Sequence, residues 1–285
     1  MKISLNGARL GNDRLTFLEF VDLAARHEFA GVDFGLGGAM NAATELGGTE
    51  ALVAHLAEKG VTPAVFGLEV DWRKDEETFQ SGLASLAEKT QFAQAIGASR
   101  CCTWILPAVN DDPGEWKATT AQRFAAIADI FADYGVRLGL EWVGPHHLRA
   151  EGENATGKTN VVYNLPTTLQ LIEQIGRENV GLLVDSYHCY TTELAESDLA
   201  QLTDAQIVHV HINDAPKGVG VAGAKDGQRV LPGAGEIDLP GFLRGLHSAG
   251  YTGYIATEVL APEPIAETAE EAAGKVRAAL RDLGL

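Results

Sequence analysis

Three cysteines in 285 residues, two adjacent at Cys101 and Cys102 and the third alone at Cys189, provide neither a disulfide framework nor a CxxC metal knuckle. A reducing cytoplasm is the expected setting. Basic residues are also scarce, 22 against 39 acids, and a formal charge of −17 opposes both polyphosphate binding and docking to anionic membranes. Neither nucleic acid nor a membrane is expected as a partner. No stretch approaches the roughly 18 uninterrupted apolar residues that span a bilayer, and the opening MKISLNGARLGNDRLTF lacks the apolar core of a signal peptide. Low-complexity tracts are missing too. With 46% apolar residues the chain can bury a large core, which excludes the disordered and fibrous classes.

What is present is a rhythm. Short β-type runs alternate with longer amphipathic ones, starting with a strand at 2–6 and a helical pattern at 16–29. Further strands are predicted at 32–34, 61–68, 99–106, 136–142, 180–184, 207–212 and 254–259. Helical patterns follow near 49–59, 76–96, 114–134, 166–176, 192–202, 239–249 and 264–282. Eight βα units need parallel neighbours joined by right-handed crossovers, and they favour a single (β/α)8 TIM barrel over residues 1–285 rather than a doubly wound open sheet. No linker divides the chain. Two long βα loops, 143–165 and 213–238, follow strands and so fall on the face where barrels place function.

Two nucleotide motifs occur and both lack their context. Gly152 to Thr159 reads GENATGKT, a letter-for-letter phosphate loop, but the preceding strand ends near Trp142 and the following NVVYNLP is not a helix start. Gly218, Gly220 and Gly223 fit GxGxxG, yet the residues after them read as loop, so these glycines are expected to form a mobile lid.

The chemistry is expected elsewhere. Glu141 in RLGLEWV, Asp185 in VGLLVDSYH, His211 in IVHVHIND and Glu258 in YIATEVL stand at the ends of four apolar strands. An ionised carboxylate there is costly unless paired or metal-bound, and three converging with one imidazole point to one divalent cation. This donor set favours Mn²⁺, Mg²⁺ or Co²⁺, with Zn²⁺ open because imidazole and carboxylates serve it too. His209, two residues before His211 and facing the same side one layer deeper, reads as a satisfied barrel-interior residue, or else as a donor that supports the ligands above it. His188, three after Asp185, is placed to hold a substrate hydroxyl or relay a proton. Lys217 and Arg229 in the second long loop are candidates to steady substrate oxygens. From the first long loop, His146, His147 or Arg149 is expected to close over the ligand, and His147 is included among the substrate-binding residues. Trp104, Trp142 and Phe66 read either as an apolar wall or as a cap on the core.

The segments GVRLGLEWVGP, ENVGLLVDSYHCY, IVHVHIND, RVLPGAGEIDL and GYIATEVL resemble the xylose-isomerase-like superfamily of TIM barrels, the sugar phosphate isomerase/epimerase group, and within it the inosose isomerase branch. The resemblance runs through the chain. It implies a metal site on Glu141, Asp185, His211 and Glu258, a substrate-side His188, and Glu141 and Glu258 as acid and base on opposite faces of the substrate. The expected function is divalent-metal-dependent isomerisation or epimerisation of a small polyhydroxy ketone, a ketose or inosose, through an enediolate. A lyase that expels a β-leaving group, with His146 or His147 as its extra acid, and a non-catalytic sugar-binding barrel are the alternatives. The expected partner is a small-molecule sugar or cyclitol, and one barrel face is suited to pairing as a C₂ homo-oligomer.

Overall fold

The computed structural model describes residues 1–10, 15–260 and 266–285. Its strands are β1 (Lys2–Leu5), β2 (Gly31–Phe34), β3 (Thr62–Gly67), β4 (Arg100–Ile105), β5 (Ala108–Val109), β6 (Arg137–Trp142), β7 (Thr159–Asn160), β8 (Val180–Asp185), β9 (Ile207–Ile212) and β10 (Tyr254–Thr257). Eight of them close an all-parallel barrel in the order β1-β10-β9-β8-β6-β4-β3-β2, while β5 and β7 form a separate antiparallel pair. The eight barrel strands coincide with the eight read from the sequence. Both β8 and β9 are buried at every position, which is why VGLLVD and IVHVHI read as nearly continuous apolar runs.

A register shift between β8 and β9 matters for the site. Leu182 pairs with Ile207 and Leu183 with His209, so Val208 is the extra residue of a bulge. Val208 then joins Val65, Cys102 and Leu183 in a buried cluster, while His209 and His211 both reach Asp33 on β2.

The helices depart from the sequence reading at three places, each for a local reason. A helix at Leu36–Leu46 is an addition to that reading, because Gly37 and Gly38 weaken its propensity; burial of Leu36, Ala39, Ala42 and Ala43 offsets this. The pattern over 76–96 is two helices, Glu76–Ala84 and Leu86–Ala95, broken at Ser85, whose hydroxyl donates back to the Gly82 carbonyl. The helix expected at 192–202 is displaced. Asp185 caps a helix that begins directly after β8, Ser186–Thr191, leaving only Glu196–Leu199 of the later run. The last helix is Ala269–Asp282, and positions 264 and 265 of its predicted span lie outside the described residues. Among the described residues no helix is long and apolar enough to cross a membrane.

Candidate metal centre

The fold brings the four strand-end residues together. Glu141 is the fifth residue of β6, Asp185 the last of β8, His211 the fifth of β9, and Glu258 follows β10 directly. One ligand atom from each lies within 4.8 Å of all the others. His211 Nδ1 stands 3.4 Å from Glu258 Oε2 and 3.8 Å from both Glu141 Oε1 and Asp185 Oδ2. Its other ring nitrogen, Nε2, is 3.5 Å from Asp33 Oδ2, so a proton on Nε2 leaves the Nδ1 lone pair aimed at three carboxylates. Two buried atoms of this set, His211 Nδ1 and Glu141 Oε1, have no hydrogen-bond partner. Orphaned acceptors converging on one point fit a bound cation, and three carboxylates with an imidazole are a donor set for a divalent ion.

Burial penalises every charge here, and the neighbours decide the outcome. Desolvation raises the Glu141 carboxyl above its ordinary pKa, with the Glu258 charge adding to it and His211 and His188 opposing. Desolvation would also raise Glu258, but His211 and then Arg229 outweigh it and hold that carboxyl well below the usual range. Burial alone would push the His211 imidazole down; the charges of Glu258, Asp33 and Glu141 carry it well above its ordinary value.

Asp33 is the residue that sequence reasoning missed. It accepts from Ser4 Oγ at 2.8 Å and Asn6 Nδ2 at 3.2 Å, and it meets His209 Nε2 at 3.0 Å. The two histidines outweigh its burial and keep it ionised far below the normal carboxylate range. His209, fully buried against Asp33, is therefore part of the support that aims His211. The available signal was an acid near the C-terminal end of the short strand GVDF.

Asp185 is held on three sides. Oδ1 accepts from the Tyr187 amide at 2.6 Å, Asn213 Nδ2 donates to both oxygens, and Arg229 Nη1 reaches Oδ2 at 2.9 Å. The same Nη1 donates to Glu258 Oε2 at 2.7 Å, and Nη2 to Asp226 Oδ1 at 2.8 Å. Arg229 comes from the 213–238 loop, which Asp214 organises by accepting from the amides of Ala215, Gly233, Gly235 and Ile237. An antiparallel bridge between Asp214 and Val230 then turns the neighbouring Arg229 into the barrel mouth. His188 is buried beside it. Its Nδ1 accepts from the Gly144 amide at 3.3 Å, and its Nε2 lies 3.2 Å from Arg229 Nη2 and 3.7 Å from Glu141 Oε1.

Other expected site residues lie elsewhere. Lys217 is exposed and lines neither described cavity. His146, His147 and Arg149 border a separate cavity of about 700 Å³ with Glu153, Tyr163 and Lys225, away from the carboxylates. Arg149 is a strut there, donating to the carbonyls of Gly144 and Thr191. Trp142 is fully buried with its indole N–H toward the His188 carbonyl, whereas Trp104 and Phe66 line the cavity over the metal centre.

Both nucleotide motifs have structural explanations. A Cβ on Gly152 would overlap the His146 and His147 carbonyls, and one on Gly157 the backbone of Val109, so Gly152 serves close packing within the loop and Gly157 its packing on β5. Thr159 enters the two-residue strand β7 instead of a helix. In the second motif the amides of Gly218 and Gly220 already donate to Glu236, a single helical turn, Gly220–Gly223, lies inside the motif, and the residues after it hold only a short 3-10 turn, Asp226–Gln228.

Residues 21–283 match the model of the xylose isomerase-like TIM barrel family. The chain belongs to that family. An inosose isomerase of Bacillus velezensis is 31% identical over 157 residues, 55% of this chain and 51% of its own length. The chain thus spans about half the length of the curated relatives it matches. Other relatives of this xylose isomerase-like barrel are an L-ribulose 3-epimerase of Methylomonas, 26% identical over 62% of the chain and 56% of its own length, and a 3-dehydroshikimate dehydratase of Pseudomonas aeruginosa, 32% identical over 31% of the chain and 14% of its own length. Among solved structures, a xylose isomerase domain protein of Alicyclobacillus acidocaldarius is 35% identical with a TM-score of 0.89, covering 99% of this chain and 98% of that one. The IolI protein solved with a zinc atom shares the fold at a TM-score of 0.80 and 21% identity, over 99% and 98% of the two chains.

Proposed function

We propose that this chain, acting as one (β/α)8 domain over residues 1–285, is a divalent-metal-dependent isomerase or epimerase of a small polyhydroxy ketone. The observation that carries the reading is the convergence of three carboxylates on His211 Nδ1, with that nitrogen and Glu141 Oε1 buried and unpartnered. The named isomerase and epimerase relatives support it, and the zinc in the IolI structure supports a metal in this fold. Glu141, Asp185, His211 and Glu258 would hold the ion, with Mn²⁺, Mg²⁺ or Co²⁺ matching the oxygen-rich set and Zn²⁺ equally served by its imidazole. Once bound, the cation supplies Lewis acidity toward a carbonyl oxygen and the hydroxyl beside it.

The residues do the rest. Glu258 and Glu141 both face the cavity end where such a ketone would sit, so one removes the proton from the carbon next to the carbonyl and the other returns a proton to the resulting enediolate. Return to the neighbouring carbon gives isomerisation; return to the opposite face gives epimerisation. His188, whose Nε2 lies between Glu141 Oε1 and Arg229 Nη2, is placed to hold a substrate hydroxyl. Arg229 neutralises Asp185 and Glu258 and keeps them aligned. Elimination needs one more acid, and the two histidines suited to it, His146 and His147, line the other cavity, which favours proton transfer over the lyase reading.

Glu258→Gln tests the assignment. The amide retains an oxygen toward the ion but cannot act as a base, so turnover of a reactive ketose should fall roughly 10²–10⁴-fold. In D₂O the Mn²⁺-loaded wild type should exchange the substrate's α-hydrogen and the variant scarcely at all. Complete retention of that hydrogen by the active wild type would remove Glu258 from the role of base and point to a hydride shift.

A further inference from the structure

Two guanidinium groups share the floor of the barrel, at the end opposite the metal centre. Arg100 opens β4 and Arg137 opens β6, and the two are register partners on neighbouring strands about 4.8 Å apart. Arg100 stands two residues before Cys102, which lines the cavity over the centre, and Arg137 four before Glu141, so both side chains project into the barrel. At about 3.3 Å per residue, Arg137 is rooted roughly 13 Å below Glu141. Arg100 crosses the floor. A Cβ on Gly253, just before β10 on the far side of the ring of strands, would overlap its Nη1 and the Tyr251 hydroxyl. Lys2 on β1 adds a third cation at this end, its Nζ 5.6 Å from the Tyr254 ring centroid.

A part-buried guanidinium is ordinarily closed by a carboxylate or by carbonyls. Arg100 Nη1 is buried without a partner, and among the described residues neither arginine forms an ion pair. Arg137 gives Nη2 to the Ala205 carbonyl and Nη1 to that of Ile207 at 3.5 Å. Burial and then the Arg100 charge lower its pKa from the ordinary value, with Asp204 opposing them. Asp204 is itself tied to Thr252, whose amide and hydroxyl donate to Oδ1 at 2.8 and 3.2 Å. Tyr251 is no counter-ion, because burial pushes its hydroxyl far above the ordinary pKa and that hydroxyl donates to the Tyr254 carbonyl at 2.6 Å. Leu10, Leu15 and Leu260, which flank the residues outside the described set, line the cavity at the other end of the barrel. Both arginines are partly exposed, so solvent reaches the floor from below. Like charges held side by side call for an anion between them, and the planar fork of N–H donors on each matches two oxygens of one oxyanion.

We propose that Arg100 and Arg137 form a site for one small free oxyanion, of the sulfate or phosphate type, on the barrel floor and separate from the metal centre. Sulfate is the probe. Calorimetric titration of the Mn²⁺-loaded full chain with sodium sulfate at constant ionic strength should show one saturable site per chain. Arg100→Gln and Arg137→Gln should each weaken it at least about tenfold, the worth of a hydrogen bond to a charged group. Lys217→Ala, which removes an exposed cation at the other end, should leave it unchanged. Arg137→Lys keeps the charge and loses the fork; it should weaken binding several-fold and provides the test if the glutamine variants fold poorly. Melting separates this site from a purely structural role. If the arginines only brace the floor, each variant melts below wild type by the same margin in sulfate as in chloride of equal ionic strength, whereas an occupied site makes the margin wider in sulfate. Equal margins, the lack of any saturable heat, or an affinity kept by the arginine variants would each overturn the site. So would an affinity that disappears when the metal is removed, because the sulfate would then lie on the ion.

Discussion

Replacing Arg229 by methionine isolates the electrostatic logic of the centre. Arg229 is buried and its Nη1 lies 2.9 Å from Asp185 Oδ2 and 2.7 Å from Glu258 Oε2. Methionine keeps much of the volume and removes the charge, which leaves Glu141, Asp185 and Glu258 facing one another with only the His211 imidazole to balance them. Breaking a buried pair on one side costs about 3–5 kcal/mol. At about 2 °C per kcal/mol for a chain of this size, the metal-free variant should melt roughly 6–10 °C below wild type. Metal affinity should move the opposite way. A unit charge about 4 Å away contributes about 4 kcal/mol per unit charge at an effective dielectric of 20, before relaxation, so removing this competitor should tighten Mn²⁺ binding at least about tenfold. Each tenfold gain closes the stability gap by about 1.4 kcal/mol, or about 3 °C, when both proteins are compared in the same excess of metal. Thermal scans with and without Mn²⁺, together with calorimetric titration, measure both quantities. A metal-free variant melting within about 2 °C of wild type, or one that binds Mn²⁺ more weakly, would show that Arg229 chiefly positions the ligands, and the charge argument would be refuted.

Asp33→Asn should weaken Mn²⁺ binding by roughly 10–100-fold without touching a ligand atom, because the aspartate's charge orients His211 through Nε2. Unchanged affinity in calorimetry would show that the barrel wall alone aims the imidazole. In the GENATGKT segment, Gly157→Ala should lower the melting temperature measurably, at a cost of about 1–3 kcal/mol, since its Cβ would overlap the Val109 backbone. Lys158→Ala, at an exposed position, should change neither stability nor the absence of Mg-ATP binding; nucleotide affinity lost on that substitution would restore the phosphate-loop reading.

How much of this was legible depends on what sets each side chain's position. Glu141, Asp185 and His211 lie within strands whose neighbours are almost wholly apolar, so a polar residue at such a strand's end is conspicuous, and the backbone alone carries it to the barrel mouth. Asp33 occupies an equivalent strand end. It escaped notice because its strand is four residues long, only partly buried at that end, and followed by glycine, so the local pattern resembles ordinary alternation into a loop. Its importance comes from its contacts with His209 and His211, which depend on the barrel bringing together segments far apart in sequence and leave no mark in either one. The two loop cations make the contrast sharper. Lys217 and Arg229 belong to the same long loop and carry the same charge, and nothing local distinguishes them. What separates them is Asp214, whose carboxylate closes hydrogen bonds onto amides up to 23 residues later and whose backbone bridges Val230. That closure turns Arg229 inward, while Lys217, just before glycines fastened to Glu236, stays on the surface. Asp214 therefore sets which cation enters the centre, and its effect extends across the loop from a residue that touches no ligand atom.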